Sequence, residues 1–269
     1  MTRGLRAYPA APTGERGFVL LIVLWTVALL ALIGSHITAG ARSATVQVSA
    51  LRAGAVAAAT ADGLAYEAMF RLLDPSARRW TADGVPRRIV LPRGNGQILI
   101  TNEAGRLNPN FIAIGVMTTL LKAVGATPAQ AKPIATAIYE WHLPGGASAA
   151  PYQAAHLPYL PPGAKFLDTA ELGLIPGMTT DLLARLVPHL SVHSDGHVDA
   201  AAADPIVAGL LLTLPAAERL MPPDAAAPLV LRIIADAIMP DGAARREVVV
   251  RIDLTEDDPA ASCEILAWQ

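Results

Sequence analysis

His189, His193 and His197 recur every fourth residue, a spacing that lines one helical face and could hold a zinc ion. The intervening residues oppose that arrangement. Ser191-Val192 reads as strand and Ser194-Asp195-Gly196 as turn, which scatters the three rings as loop side chains. Ile175-Pro176-Gly177-Met178 has the form of a tight helix-to-helix turn whose amides could receive a phosphate. Arg185 is the only nearby cation, so helix packing is the favoured role. No HExxH, GxSxG or phosphate-loop pattern occurs, and no paired acids stand in a pocket-like context. Catalysis is not indicated.

The global numbers exclude other classes. Charged residues make up 16% of the 269 and the net charge is −2, so there is no electrostatic footprint for nucleic acid. Cys263 is the single cysteine and cannot form an internal disulfide. The length allows one or two domains.

Everything else is organised around the N-terminal apolar stretch. From Phe18 to Ile33 only Thr26 is polar, and Gly34 to Ala39 carries no charge. A run of about 20 such residues is long enough to cross a bilayer as a helix. Of the 22 prolines, none falls between Pro12 and Pro75, and the stretch after the apolar run is rich in alanine, the best helix former. The spacing predicts one continuous helix from about Phe18 to Leu73. Three readings of its start compete: a signal anchor, a cleaved signal peptide, and a prepilin-like leader ending at Gly17. The apolar run is longer than a signal peptide's core. Arg3, Arg6 and Arg16 precede Gly17-Phe18 and satisfy the positive-inside rule.

Beyond Asp74-Pro75, which ends the helix, Arg87–Leu91 and Gln97–Thr101 read as strands around a loop over Pro92–Gly96. Turn residues fill Glu103–Asn110. Helices are expected over Ile112–Val124, from Thr127-Pro128 to Trp141, after the cap-like Asp168, over Thr180–Leu186, over Asp204–Leu212 and over Pro215–Leu220. Leu143–Lys165 is read as a proline- and glycine-rich loop. Strands return at Leu229–Ile234, Glu247–Leu254 and Cys263–Trp268. The β elements flank a helical block, so the fold class is α+β with an all-α insertion between strands.

Several segments, in order, resemble the K-type minor pseudopilins of the type II secretion system. They are the junction Arg16-Gly17-Phe18 with Val19–Trp25, then Asn102-Glu103-Ala104-Gly105-Arg106-Leu107-Asn108, then Leu167–Leu172 through Ile175–Thr179 to Pro188–Val192, and last Ile265–Trp268. The resemblance implies a pilin-like long N-terminal helix packed on an antiparallel sheet, with the helical block inserted. It implies a leader over residues 1–17, a transmembrane part over 18–39, and the rest of the long helix with the first hairpin over 40–105. The inserted helical domain then spans 106–214, and the strands completing the sheet span 215–269. It further implies a single-pass inner-membrane protein with its soluble domain in the periplasm, cut after Gly17 and N-methylated on Phe18. Such a subunit belongs to the tip complex that initiates a pseudopilus for export of folded proteins. Its implied partners are I- and J-type minor pseudopilins, the major pseudopilin, prepilin peptidase and the inner-membrane assembly platform. The other readings are a minor pilin of a type IV or DNA-uptake pilus and a signal-anchored periplasmic protein.

Pilins carry Glu at the fifth mature position, where this chain has Ile22. A buried carboxylate without a partner is costly, so a subunit with no neighbour above it should lack it. The family also resembles calcium binders, whereas this chain has no Asp or Glu between Trp141 and Leu167. Calcium wants 6–8 oxygens, several from carboxylates. Asn102, Glu103, Asn108 and Asn110 remain oxygen donors, read more simply as turn residues, and no calcium or other cofactor is carried over. Ala50, Ala58, Ala61 and Ala65 form a small-residue stripe expected to pack closely against partner helices.

Overall fold

The computed structural model describes residues 15–143, 149–214, 227–253 and 263–269. The helix expected over Pro215–Leu220 lies outside them. The chain divides into two compact units, Met1–Val56 and Ala57–Gln269.

Helix α1 runs Glu15–Leu72, as the absence of proline requires. In the first unit it contains the segment Phe18–His36, long and apolar enough to cross a membrane, with mean hydropathy 2.7 and none of it buried. Thr26 returns its hydroxyl to the carbonyl of Val23 at 2.9 Å and Ser35 to that of Leu32 at 2.8 Å. Both hydroxyls are thus satisfied within the helix, as hydrocarbon demands.

In the second unit five antiparallel strands lie in chain order: β1 (Arg87–Leu91), β2 (Gly94–Asn102), β3 (Leu229–Met239), β4 (Gly242–Ile252) and β5 (Cys263–Trp268). The last part of α1 packs on one face. Ala61, Leu64, Ala65, Ala68, Met69 and Leu72 meet Ile98, Ile100, Leu231, Ile233, Val248, Val250 and Ile252, all buried. The strand residues alternate, as a sheet with one covered face requires. Alanines on the helix let it lie close to the strands. Arg246 of β4 donates to Asp62 of α1 at 2.5 Å, tying helix to sheet at the rim.

Three expectations differ from what is observed. The first hairpin turns over Pro92-Arg93, with Leu91 opposite Gly94, so Gly94–Gly96 belong to β2. Gly94 has φ +141°, and a Cβ at Gly96 would stand 2.7 Å from Leu64 Cδ1. The glycines serve a turn and a close helix approach within the strand. Strands β3 and β4 are also longer than expected, pairing from Leu229↔Ile252 to Met239↔Gly242. Ala235 and Ala237 have little strand propensity, but they fill the narrow space beneath α1. Finally, the Leu143–Lys165 segment contains α4 (Ala150–Ala154). Pro151 suits the first helical turn, and buried Tyr152 anchors it to the helical core.

That core is separate from the sheet's. Between β2 and β3, α2 (Ile114–Ala123), α3 (Pro128–Trp141), α5 (Thr180–Leu186) and α6 (Pro205–Thr213) enclose Leu107, Met117, Leu120, Ile134, Ile138, Leu182 and Leu186. Trp141 stacks on Phe166 at 5.3 Å. Asp168 and Glu171 cap a 3-10 turn over Thr169–Leu174 as their spacing foretold, and Asp204 caps α6.

Candidate functional site

The stretch Asn102–Asn110 carries the chain out of the sheet and into the helical body. Asn102 Oδ1 accepts from the amide of Ala104 at 2.9 Å, starting a 3-10 turn over Glu103–Gly105. The Glu103 side chain is fully buried. Arg232 of β3 grips it with both arms of the guanidinium, Nε to Oε1 at 2.7 Å and Nη2 to Oε2 at 2.9 Å. Arg106 adds a third cationic contact at 3.3 Å, and Arg232 also donates to Glu247 of β4. Burial alone would raise the Glu103 pKa, but Arg232 and Arg106 outweigh it and hold the carboxyl below its ordinary value. This fork-on-fork cluster rivets the insertion to two strands.

The neighbouring asparagines are equally committed. Asn108 donates to the carbonyls of Val192 and Ser194 and accepts from the amide of Asn110. Asn110 exchanges two bonds with the backbone of Phe166. Leu107 bridges Leu190 in parallel. The side-chain oxygens available to calcium are thus spent on backbone amides or on arginine. Among the described residues no three His, Cys, Asp or Glu side chains converge on a metal position.

Gly105 explains why this motif needs a glycine. A Cβ there would stand 2.2 Å from the carbonyl oxygen of Ala202 and 2.4 Å from its carbon. Backbone on both sides leaves no room to yield. Gly105→Ala is expected to cost about 3 kcal/mol or more by overpacking. A denaturant midpoint unchanged from that of the parent chain would refute this.

The histidines do not share a helical face. His189 ends a 3-10 turn and its Nδ1 lies 2.7 Å from Asp204 Oδ2. His193 and His197 sit in the following loop, where His197 Nδ1 lies 3.0 Å from Asp195 Oδ2. All three stand in a turn and a loop, as expected, and are half-buried, and burial holds His193 below its ordinary pKa. The Ile175–Met178 turn is tight, with Gly177 at φ +83°. Arg185 donates to the carbonyl of Val124 at 2.7 Å and pairs with Asp181. That cation is therefore spent, and the turn serves packing.

The alanine stripe requires a correction. Ala50 is exposed and Ala58 half-buried, but Ala61 and Ala65 have no exposed surface and belong to the sheet's core. They pack against the chain's own strands, so they cannot meet a partner helix. Sequence periodicity could not say which face of α1 turns inward, because alanine is common on both. The outward face of this part of α1 instead presents Tyr66 and Phe70, 57% and 67% exposed. The Tyr66 ring lies 5.1 Å from that of Trp268. An aromatic pair four residues apart in an alanine-rich helix was the available signal. In the first unit Phe18 and Ile22 are exposed on the apolar segment.

The last part of a long helix packs on an antiparallel sheet, and a helical body stands between β2 and β3. Residues 98–195 match the family model described as type II secretion system (T2SS), protein K. The fold is similar to that of GspK in the crystal structure of the GspK-GspI-GspJ complex from the enterotoxigenic Escherichia coli type 2 secretion system. The two share 15% identity with a TM-score of 0.58, over 85% of this chain and 98% of that one. No curated protein matches the chain in sequence. Together the family match and the fold support a type II secretion system protein K.

Proposed function

We infer that the chain acts as a minor pseudopilin of the type II secretion system, in the tip complex that initiates the periplasmic pseudopilus. The observation that carries this reading is the family match over residues 98–195. It covers the end of β2 (residues 98–102), the Glu103 junction and most of the helical body, the parts that distinguish this subunit from a plain pilin. The solved relative is a complex of GspK with GspI and GspJ, and the corresponding I- and J-type subunits are the partners proposed here. The exposed face of α1 around Tyr66 and Phe70 supplies a surface for them.

Tip placement follows from two features. Ile22 stands where a filament-body subunit needs a carboxylate for its neighbour's ammonium. The segment between β2 and β3 spans residues 103–228, a bulk that stacked subunits have little room to hold. The role is structural, with export of folded proteins as its output and no catalytic step assigned. On this reading the apolar segment Phe18–His36 anchors the chain in the inner membrane, with the second unit in the periplasm. Counting labelled copies along sheared filaments tests the placement, and label spread evenly down the fibre would refute it.

Prepilin peptidase is expected to cut after Gly17 and leave one methyl group on Phe18. Mass spectrometry of the membrane-purified chain checks this. An intact Met1, or a cut after residue 39, would sink the pseudopilin reading.

Calcium should leave the stability of the full chain in detergent nearly unchanged. Stabilisation follows RT ln(1 + [L]/Kd), so a micromolar site in millimolar calcium would add about 4 kcal/mol. A rise of that size, reversed by chelator, would show a site that the spent oxygens around Glu103 do not form.

A further inference from the structure

The sheet ends on an edge strand of one charge sign. Among the described residues β1 pairs with β2 alone, so alternate residues turn backbone N–H and C=O groups outward with no described strand to receive them. Ile89 and Leu91 face the core beneath α1, which leaves Arg88 and Val90 on the opposite face. Val90 is 88% exposed. It stands across from Asn95, which stands across from exposed Ile238, so the outer face next to the edge is partly apolar.

The charge around this edge is unbalanced. Arg79, Arg88 and Arg93 are exposed and make no ion pair among the described residues. Asp83, the acid closest in sequence, is spent on Arg87 at 2.6 Å. The Arg87 guanidinium also lies 5.2 Å from the Trp80 ring, which draws the segment carrying Arg79 toward the strand.

We propose that β1 is an acceptor edge for an extended acidic segment of another protein. That segment adds beside β1 as a further strand, with carboxylates on Arg88 and Arg93 and an apolar residue against Val90. Main-chain bonds supply the attachment and the alternating side chains the selectivity. A second copy of this chain is the wrong occupant, because two β1 edges would bring like charges together, the usual protection against self-pairing. Pro86 and Pro92 bracket the strand and confine the added pairing to the residues between them. Charge complementarity at the edge selects the partner, and the inference does not rest on the secretion assignment.

The test uses the full chain in detergent micelles and two labelled peptides. One has glutamate, valine and glutamate at every second position and threonine between them, which share one face of an added strand, and the other has lysine in place of each glutamate. Fluorescence anisotropy reads binding, and hydrogen exchange reads the β1 amides. The glutamate peptide is expected to bind and to slow exchange within Arg87–Leu91, while the lysine peptide does not. Arg88→Glu combined with Arg93→Glu should weaken the glutamate peptide at least about fivefold, as two exposed ion pairs become repulsions, and admit the lysine peptide. If that variant does not fold, salt decides on the parent chain, since screening must weaken the glutamate peptide in the same direction. No binding, equal binding of both peptides, or insensitivity to both charge reversal and salt overturns the proposal.

Discussion

Glu103→Ala will lower the unfolding free energy by about 3–5 kcal/mol, because it removes the one carboxylate that lies between the largely buried Arg106 and Arg232 guanidiniums. In the parent chain the carboxylate is wholly buried and held by both arms of Arg232 and by Arg106. The Arg232 side chain is itself only 16% exposed. Removing the acid leaves Arg232 with Glu247, a partner on the strand next to its own. Pairing within the sheet survives, but the tie from sheet to insertion does not. Urea unfolding measures the loss, and a change under about 1 kcal/mol would refute it. The pH dependence has a definite sign. Arg232 and Arg106 depress the folded pKa of Glu103 against the opposing effect of burial, so the stabilisation is present above the unfolded carboxyl's pKa of about 4.3. It is lost as pH falls through the folded value. Glu103→Ala should therefore flatten the parent chain's loss of stability in acid.

The second large effect is Ala61→Glu. Ala61 has no exposed surface and lies between α1 and the sheet, where a carboxylate finds neither water nor a cation prepared for it. The expected cost is several kcal/mol at neutral pH, easing as the acid is protonated. Ala50→Glu, on exposed helix, should stay within about 0.5 kcal/mol. Co-purification with I- and J-type subunits separates folding from binding. Ala61→Glu loses partners together with the fold. Phe70→Asp, on the exposed face, should keep the thermal midpoint and still lose them. Partner loss in Ala61→Glu with an unchanged melting curve would return that alanine to the interface and overturn the core assignment.

The sequence by itself determined what depends on neighbours along the chain. Proline-free, alanine-rich sequence set one helix, observed as Glu15–Leu72. Capping residues placed α3, α5 and α6 almost to the residue, because a helix start is decided by three or four local bonds. The run of uncharged residues marked a possible membrane span, since composition and length alone decide that. The α+β order with a helical insertion was legible for the same reason. Tertiary structure decided the rest. It lengthened β3 over Ala235 and Ala237, where packing beneath a close helix overrides weak strand propensity. It turned Ala61 and Ala65 inward and Tyr66 and Phe70 outward, a choice that depends on where the sheet lies. It also joined Glu103 to Arg232 across a sequence separation of 129 residues, converting turn-like residues into the buried rivet of the fold. Neither residue's local context names the other, and only the register of β2 against β3 brings them within reach.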